Sequence, residues 1–138
     1  MQSFNKFKLV TVVVASLAVA AFAGQVNLTG GFVGCGPDYV GNLTGFGHFT
    51  GHFYGSVQTE VLVASNGDRL YAHTSNFVRG STVDGVTAYS EHWHFVAGTG
   101  RFANATGDAT VSGDGYSNGV YEGDIVGSVL VPARAPWI

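Results

Sequence analysis

Hydrophobic and polar positions alternate with a period of two along most of the chain after residue 24. The clearest case is the segment 86–96, where Tyr89, Trp93 and Phe95 share one face with Glu91. Alternate side chains of a β-strand point to opposite sides of its sheet, so this pattern predicts a strand. No segment after residue 24 keeps the i, i+3, i+4, i+7 apolar spacing of a helix for three turns. This part of the chain is therefore predicted to be all-β.

Turn residues separate the strands at intervals of about ten residues. Residues 65–68, 83–85 and 113–115 each contain an Asn-Gly or Asp-Gly pair and predict hairpin turns. All 21 glycines follow residue 23, and glycine at this density disfavours helix while letting strands coil and pack closely. We therefore predict a small antiparallel meander barrel of about seven or eight strands.

The first 23 residues differ in composition from the rest. A basic start with Lys6 and Lys8 precedes an uncharged apolar run over 9–20, and small residues at Ala21 and Ala23 complete the pattern of a secretory signal. The apolar run is short for a membrane span, and an uncleaved N-terminal anchor is the alternative. We predict a signal peptide over 1–23, a barrel domain over 24–131 and a C-terminal tail over 132–138. The protein is expected to be secreted or periplasmic, without membrane contact after cleavage.

Net charge and cysteine content limit the classes of partner and of covalent cross-link that the protein can have. After residue 23, four arginines against nine acidic residues leave a net charge of −5. An anionic surface repels phosphate groups, so no nucleic-acid partner is expected. The single cysteine, Cys35, excludes an intrachain disulfide and is predicted to be a small buried hydrophobic residue. An intermolecular disulfide or lipidation is the alternative.

Histidines supply one set of candidate site residues. His48 and His52 lie four residues apart on one strand face, about 13 Å along the strand, which is too far to share a metal directly. His92 and His94 lie two apart, about 6.6 Å, and could provide two zinc ligands if another strand supplied a third. The alternative is that the histidines hydrogen-bond neighbouring strands. No metal or other cofactor is predicted.

Two glutamates lie in the middle of predicted strands. A carboxyl group inside a cavity could act in catalysis or anchor a ligand. For Glu60 a solvent-facing position is favoured, because Val57, Val61 and Val63 form the opposite face. Glu91 lies either inside an aromatic core or beside an exposed aromatic patch. The candidate ligand-binding residues are His48, His52, Glu60, Glu91, His92 and His94, and no catalytic residue is assigned.

Residues 98–107, with the sequence GTGRFANATG, form a distinctive motif. The motif resembles the signature of small secreted bacterial proteins with an allene-oxide-cyclase-like barrel, and it is similar to a turn of dirigent proteins. Residues 64–70, ASNGDRL, look like a hairpin of the same group. The resemblance implies the barrel fold; the plant cyclases bind an apolar epoxide in a hydrophobic cavity and steer its ring closure, whereas dirigent proteins steer radical coupling. No catalytic residue of the family is matched to this chain.

The motif also has a structural interpretation. Gly98 and Gly100 are expected to permit left-handed or closely packed backbone after a strand. Phe102 is expected to plug one end of the barrel, and Arg101 to bind backbone carbonyls or pair with an acid. Gly107 is expected to end the turn.

Three functions are compatible with the sequence. The first is a non-catalytic barrel that binds a small apolar ligand or a partner protein through its cavity or rim. The second is an isomerase or cyclase of the allene-oxide-cyclase type, and the third is a cell-envelope structural protein that self-associates as a homo-oligomer. A cavity with Glu60, Glu91 or a histidine projecting into it would support the first two, and a filled lumen would leave the third.

Overall fold

The computed structural model describes residues 23–133, and every structural statement below concerns this part of the chain. The predicted signal peptide, apart from residue 23, and most of the predicted tail lie outside the described residues. The elements in chain order are β1 (Ala23–Cys35), β2 (Asp38–Leu43), β3 (Gly47–Tyr54), a 3₁₀ turn η1 (Gly55–Val57), β4 (Thr59–Ala64), β5 (Arg69–Val83), β6 (Val86–Gly98), a second 3₁₀ turn η2 (Gly100–Phe102), β7 (Thr106–Tyr116) and β8 (Val120–Pro132).

The eight strands form a closed barrel in sequence order. Each of the pairs from β1·β2 to β7·β8 is antiparallel. The connections are tight turns or single 3₁₀ turns, and two of the three predicted hairpin turns, at 65–68 and 83–85, are among them. The predicted all-β meander barrel is therefore confirmed. No helix within residues 23–133 is long and apolar enough to cross a membrane.

Alternate residues of each strand turn inward and build one core. In β6 the inward side chains include Trp93 and Phe95, which are almost completely buried, so the aromatic face of this strand is the core face. The other large core residues are Leu28, Phe32, Tyr39, Leu43, Phe46, Phe49, Leu62, Leu70, Phe102, Val111, Ile125 and Val129. The lumen is thus packed with side chains along most of its length.

The motif at residues 98–107 closes one end of the barrel as predicted. Phe102 is buried and packs on Phe46, with 5.0 Å between the ring centroids. Arg101 donates from Nε to Asp68 Oδ2 at 2.6 Å and from Nη2 to the carbonyl oxygen of Phe46 at 3.5 Å. The guanidinium of Arg101 holds the pKa of Asp68 below its usual range. Gly100 has a φ of +60°, the left-handed conformation that favours glycine.

Three local predictions are wrong. Residues 113–115 are not a turn: they continue β7, where a side chain at Gly113 would overlap the carbonyl oxygen of Glu122, and the chain turns at 117–119 instead. Gly107 does not end the turn but lies inside β7, close against Ser128 of β8. Cys35 is exposed rather than buried, because it is the last residue of β1 beside the hairpin to β2.

Gly98 should be intolerant of a side chain. A Cβ at this position would overlap the carbonyl oxygen of Phe102 and lie 2.9 Å from that of Arg69. Gly98→Ala is expected to lower the free energy of unfolding by about 1–3 kcal/mol, measured by urea denaturation.

Gly80→Ala is the matched control, because its Cβ would meet nothing nearer than the carbonyl oxygen of Ala88 at 3.6 Å. It should change stability by less than about 1 kcal/mol. Equal losses in the two variants would show that the tight packing at Gly98 is unimportant.

Candidate functional site

A cavity of about 590 Å³ opens at the end of the barrel opposite the Phe102 plug. This end carries the connections β1–β2, β3–β4, β5–β6 and β7–β8. Seven aromatic side chains line the cavity: Phe32, Tyr39, Phe53, Phe77, Tyr89, Trp93 and Tyr121. The polar side chains that line it are those of Gln58, Glu60, Thr74, Ser75, Asn76 and Glu91. No lysine, arginine or histidine of residues 23–133 is among the lining residues.

Glu60 lies inside the barrel, so the prediction of a solvent-facing position is wrong. Its side chain is only 4% exposed. The inward face of β4 is Glu60, Leu62 and Ala64, whereas Val61 and Val63 lie on the half-exposed outer face. Both faces of this short strand carry aliphatic residues, and Leu62 and Ala64 occupy the core side. Period-two alternation places Glu60 with them.

The hydroxyl group of Tyr39 holds the carboxyl group of Glu60. Tyr39 donates to Glu60 Oε1 at 2.5 Å. The Tyr39 ring fits because its register partner on β3 is Gly51, where a Cβ would overlap the ring. The second oxygen, Glu60 Oε2, has no hydrogen-bond partner among the described residues. It is therefore free to meet a group that enters the cavity.

Burial dominates the acid–base behaviour of this pair. It raises the pKa of Glu60 from its ordinary 4.5 to about 8; the Tyr39 hydrogen bond opposes this shift, and the charge of Glu91 adds to it. Burial, followed by the Glu60 charge, also raises the pKa of Tyr39. At neutral pH the Glu60 carboxyl is therefore mostly protonated, and it can both donate and accept a hydrogen bond.

Glu91 lies on the same aromatic wall of the cavity. It is half-buried, and Trp93 donates from Nε1 to Glu91 Oε2 at 2.8 Å. Burial raises the pKa of Glu91, against the opposing effect of the Trp93 hydrogen bond. Of the two predicted alternatives for Glu91, the position inside an aromatic core is confirmed.

The mouth of the cavity is formed by residues that the sequence pattern does not single out. Asn76 has a φ of +54° within an irregular stretch of the β5–β6 ladder, between Ser75 and Val78. The following residue, Phe77, is 58% exposed and stacks on Tyr89 with 6.1 Å between the ring centroids. Across the mouth, Tyr121 donates to the carbonyl oxygen of Gly36 at 2.7 Å. The available signal was Asn76 itself, because asparagine adopts the left-handed conformation more readily than most other residues with a side chain.

The candidate histidines lie outside the cavity. His48 is exposed, and His52 Nδ1 lies 2.6 Å from Asp38 Oδ1 on the neighbouring strand. His92 Nε2 and His94 Nδ1 both contact Asp108 Oδ1, at 2.8 and 3.0 Å.

For His52, His92 and His94 the structural alternative, hydrogen bonding to a neighbouring strand, is therefore confirmed. Hydrogen bonds from His94 and then His92 lower the pKa of Asp108. Within residues 23–133 no group of three or more His, Cys, Asp or Glu residues could hold a metal ion. The six candidate residues thus divide: Glu60 and Glu91 share the cavity, and the four histidines do not.

Comparison with known proteins assigns no family. No protein-family model, curated protein or solved structure matches this chain. The resemblance carried by residues 98–107 stays a prediction.

The raised pKa of Glu60 predicts how stability depends on pH. Its pKa is about 8 in the folded state and about 4.5 in the unfolded state, so the folded state keeps a proton that the unfolded state releases. The free energy of unfolding should therefore fall as pH rises from 4.5 to 8, by at most about 1.4 kcal/mol per pH unit for this group. Burial raises the pKa of Glu91 as well, so Glu91 adds to this fall. Asp68 and Asp108, whose pKa values are lowered, change the free energy of unfolding with pH only below about pH 4.

Glu60→Gln should reduce this dependence to the part that Glu91 contributes, because the amide cannot ionise and keeps an acceptor for Tyr39. The measurement is urea denaturation at a series of pH values from 4 to 9. Glu122→Gln, a change at an exposed glutamate of β8, is the matched control and should keep the wild-type slope. A wild-type slope in Glu60→Gln would contradict the burial of an ionisable carboxyl at this position.

Proposed function

We propose that this barrel binds a small, largely apolar ligand in the open cavity. The ligand lies against the aromatic wall and places a polar atom on Glu60. The observation that carries the proposal is the buried Tyr39–Glu60 pair, which lies within a cavity of about 590 Å³. Ligand pockets have volumes of about 300–1,000 Å³, mostly apolar walls and a few polar groups that fix orientation.

The unfavourable free energy of burying the Glu60 carboxyl supports a binding role for the cavity. Burying a carboxyl group in an aromatic environment is unfavourable unless its hydrogen-bonding atoms are matched, and only one oxygen of Glu60 has a partner among the described residues. The open cavity at one end of the barrel also forgoes the packing energy that larger side chains would provide. Features that weaken a fold in this way concentrate at functional sites.

The residues at the mouth of the cavity are arranged so that a ligand can enter from solvent. Phe77 is a large aromatic residue that is more exposed than buried, and its only described ring contact is Tyr89. An exposed aromatic side chain beside a cavity provides apolar surface for an arriving ligand. A completely filled lumen would leave self-association as the single remaining function. Because a cavity opens at one end of the lumen, ligand binding is also compatible with the structure.

A second candidate is acid–base catalysis, which the pKa of Glu60 favours. A general acid works best when its pKa is close to the working pH, and burial raises that of Glu60 to about 8. Protonated Glu60, oriented by Tyr39, could give its proton to an epoxide oxygen as the ring opens. This candidate agrees with the resemblance to allene-oxide-cyclase-like barrels, which implies isomerase or cyclase activity.

Ligand binding is tested with a neutral apolar fluorophore such as N-phenyl-1-naphthylamine. Its emission should rise on binding to the wild-type protein. Gly115 lines the cavity, and its Cβ would meet nothing nearer than 3.8 Å. Gly115→Trp should therefore fill the space and weaken binding at least about tenfold, which corresponds to 1.4 kcal/mol.

Gly115→Ala is the matched control and should bind within about twofold of wild type. Absence of binding to the wild-type protein, or undiminished binding to Gly115→Trp, would refute the cavity as a ligand site.

Catalysis is tested by incubating the protein with an unsaturated fatty-acid epoxide and analysing the products. The cyclase candidate predicts conversion whose rate falls as pH rises past 8, because the acid must be protonated. Glu60→Gln should lose about 10²-fold or more in rate, and Glu122→Gln should not. Binding without any conversion would remove this candidate and leave the first.

A further inference from the structure

The cavity combines two carboxyl groups with an aromatic wall and lacks a basic residue. Glu60 and Glu91 both line it, and no lysine, arginine or histidine of the described chain does. The groups that hold the two carboxyls are Tyr39 and Trp93, whose ring centroids are 6.3 Å apart. The two acidic groups therefore share one part of the cavity wall.

We propose that the ligand of this cavity is a cationic amine with an apolar body, such as an arylalkylamine, and this proposal rests on the proposed binding function. The ammonium group lies between Glu60 and Glu91 and against the faces of neighbouring aromatic rings. The apolar body extends towards Phe77 at the mouth.

A cation explains features that a neutral ligand leaves unexplained. A neutral hydrogen-bond acceptor would use the protonated carboxyl of Glu60 and would leave Glu91 without a role. An ammonium group has three N–H donors, and the oxygens of Glu60 and Glu91 that have no hydrogen-bond partner within residues 23–133 are acceptors. Its charge also interacts favourably with aromatic faces.

The surroundings of the cavity are acidic as well. The charge of Asp38 acts on Tyr121, and that of Asp114 acts on Tyr89, so both acids lie near cavity tyrosines. The chain after residue 23 has a net charge of −5. A negative potential at a cleft of low polarity attracts cations and repels anions.

Binding of an amine must release a proton from the protein at neutral pH. Burial raises the pKa of Glu60 to about 8, so the carboxyl is mostly protonated in the free protein and becomes charged beside the ammonium group. Tyr39 of β2 and Glu91 of β6 act on Glu60 itself. Around the cavity tyrosines, Asp38 of β2 and Cys35 of β1 act on Tyr121 of β8, and Asp114 of β7 acts on Tyr89 of β6. The lining residues of β3 and β5 are not titratable. Amine affinity should therefore rise with pH up to about 8, by at most about tenfold per pH unit for one proton.

The test compares three probes of similar shape by isothermal titration calorimetry: 4-phenylbutylamine, 4-phenylbutan-1-ol and 4-phenylbutanoate. The amine should bind at least about tenfold more tightly than the alcohol at pH 8, and the carboxylate should bind most weakly. From pH 6 to pH 8 the affinity should rise for the amine and not for the alcohol. Titrations in buffers of different ionisation enthalpy should show proton release with the amine alone.

Glutamine variants separate the effect of the two carboxylate charges on binding from the effect of the apolar cavity walls. Glu60→Gln and Glu91→Gln should each reduce the preference for amine over alcohol, and the double variant should remove it while still binding the alcohol. Glu122→Gln should keep the wild-type preference. Because each single variant tests the charge independently, failure of one to fold leaves the other informative.

The outcomes distinguish the two proposals. Alcohol binding equal to or tighter than amine binding, or no rise in amine affinity with pH, would overturn the amine proposal and keep the cavity as a ligand site. Failure of all three probes and of the neutral fluorophore to bind would overturn both.

Discussion

The close approach of neighbouring strands is the constraint on which the rest of this barrel depends. At Gly30, Gly113 and Gly127 a side chain would overlap a carbonyl oxygen of the next strand, so these contacts require glycine. With this close packing, the eight strands form a closed barrel. Barrel closure determines which face of each strand lies inside. For β4 the inside face carries Leu62 and also Glu60, and this is how a carboxyl group reaches the apolar core of the barrel.

The position of Glu60 sets the chemistry of the cavity. Its desolvation favours the protonated form, and the Tyr39 hydroxyl satisfies one of its two oxygens. A leucine at this position would remove the cost of burying a carboxyl and would continue the apolar core. The polar group instead stands at the inner end of an aromatic cavity open to solvent, together with the half-buried Glu91. The proposed ligand binding, the candidate acid–base catalysis and the proposed preference for a cation all depend on this one feature.

Much of the fold could be predicted from the sequence, because period-two alternation and turn chemistry are local. The aromatic face of β6, the turn at 83–85 and the bend that begins at Gly98 all follow from residues near in sequence. Two kinds of information were missing. The alternation of β4 defines two faces but not which is inside, and glycine in a Gly-Asp-Gly run serves a turn or a closely packed strand equally well. Tyr39 became visible as a site residue only through the register that pairs it with Gly51.

The most direct test of the central claim is the titration of the Glu60 carboxyl carbon, followed by ¹³C NMR in the free protein and assigned with Glu60→Gln. We expect its chemical shift to change with an apparent pKa near 8, because the group is buried in the lumen and hydrogen-bonded to Tyr39. A midpoint near the ordinary value of 4.5 would place the carboxyl in water and would contradict its burial in the cavity.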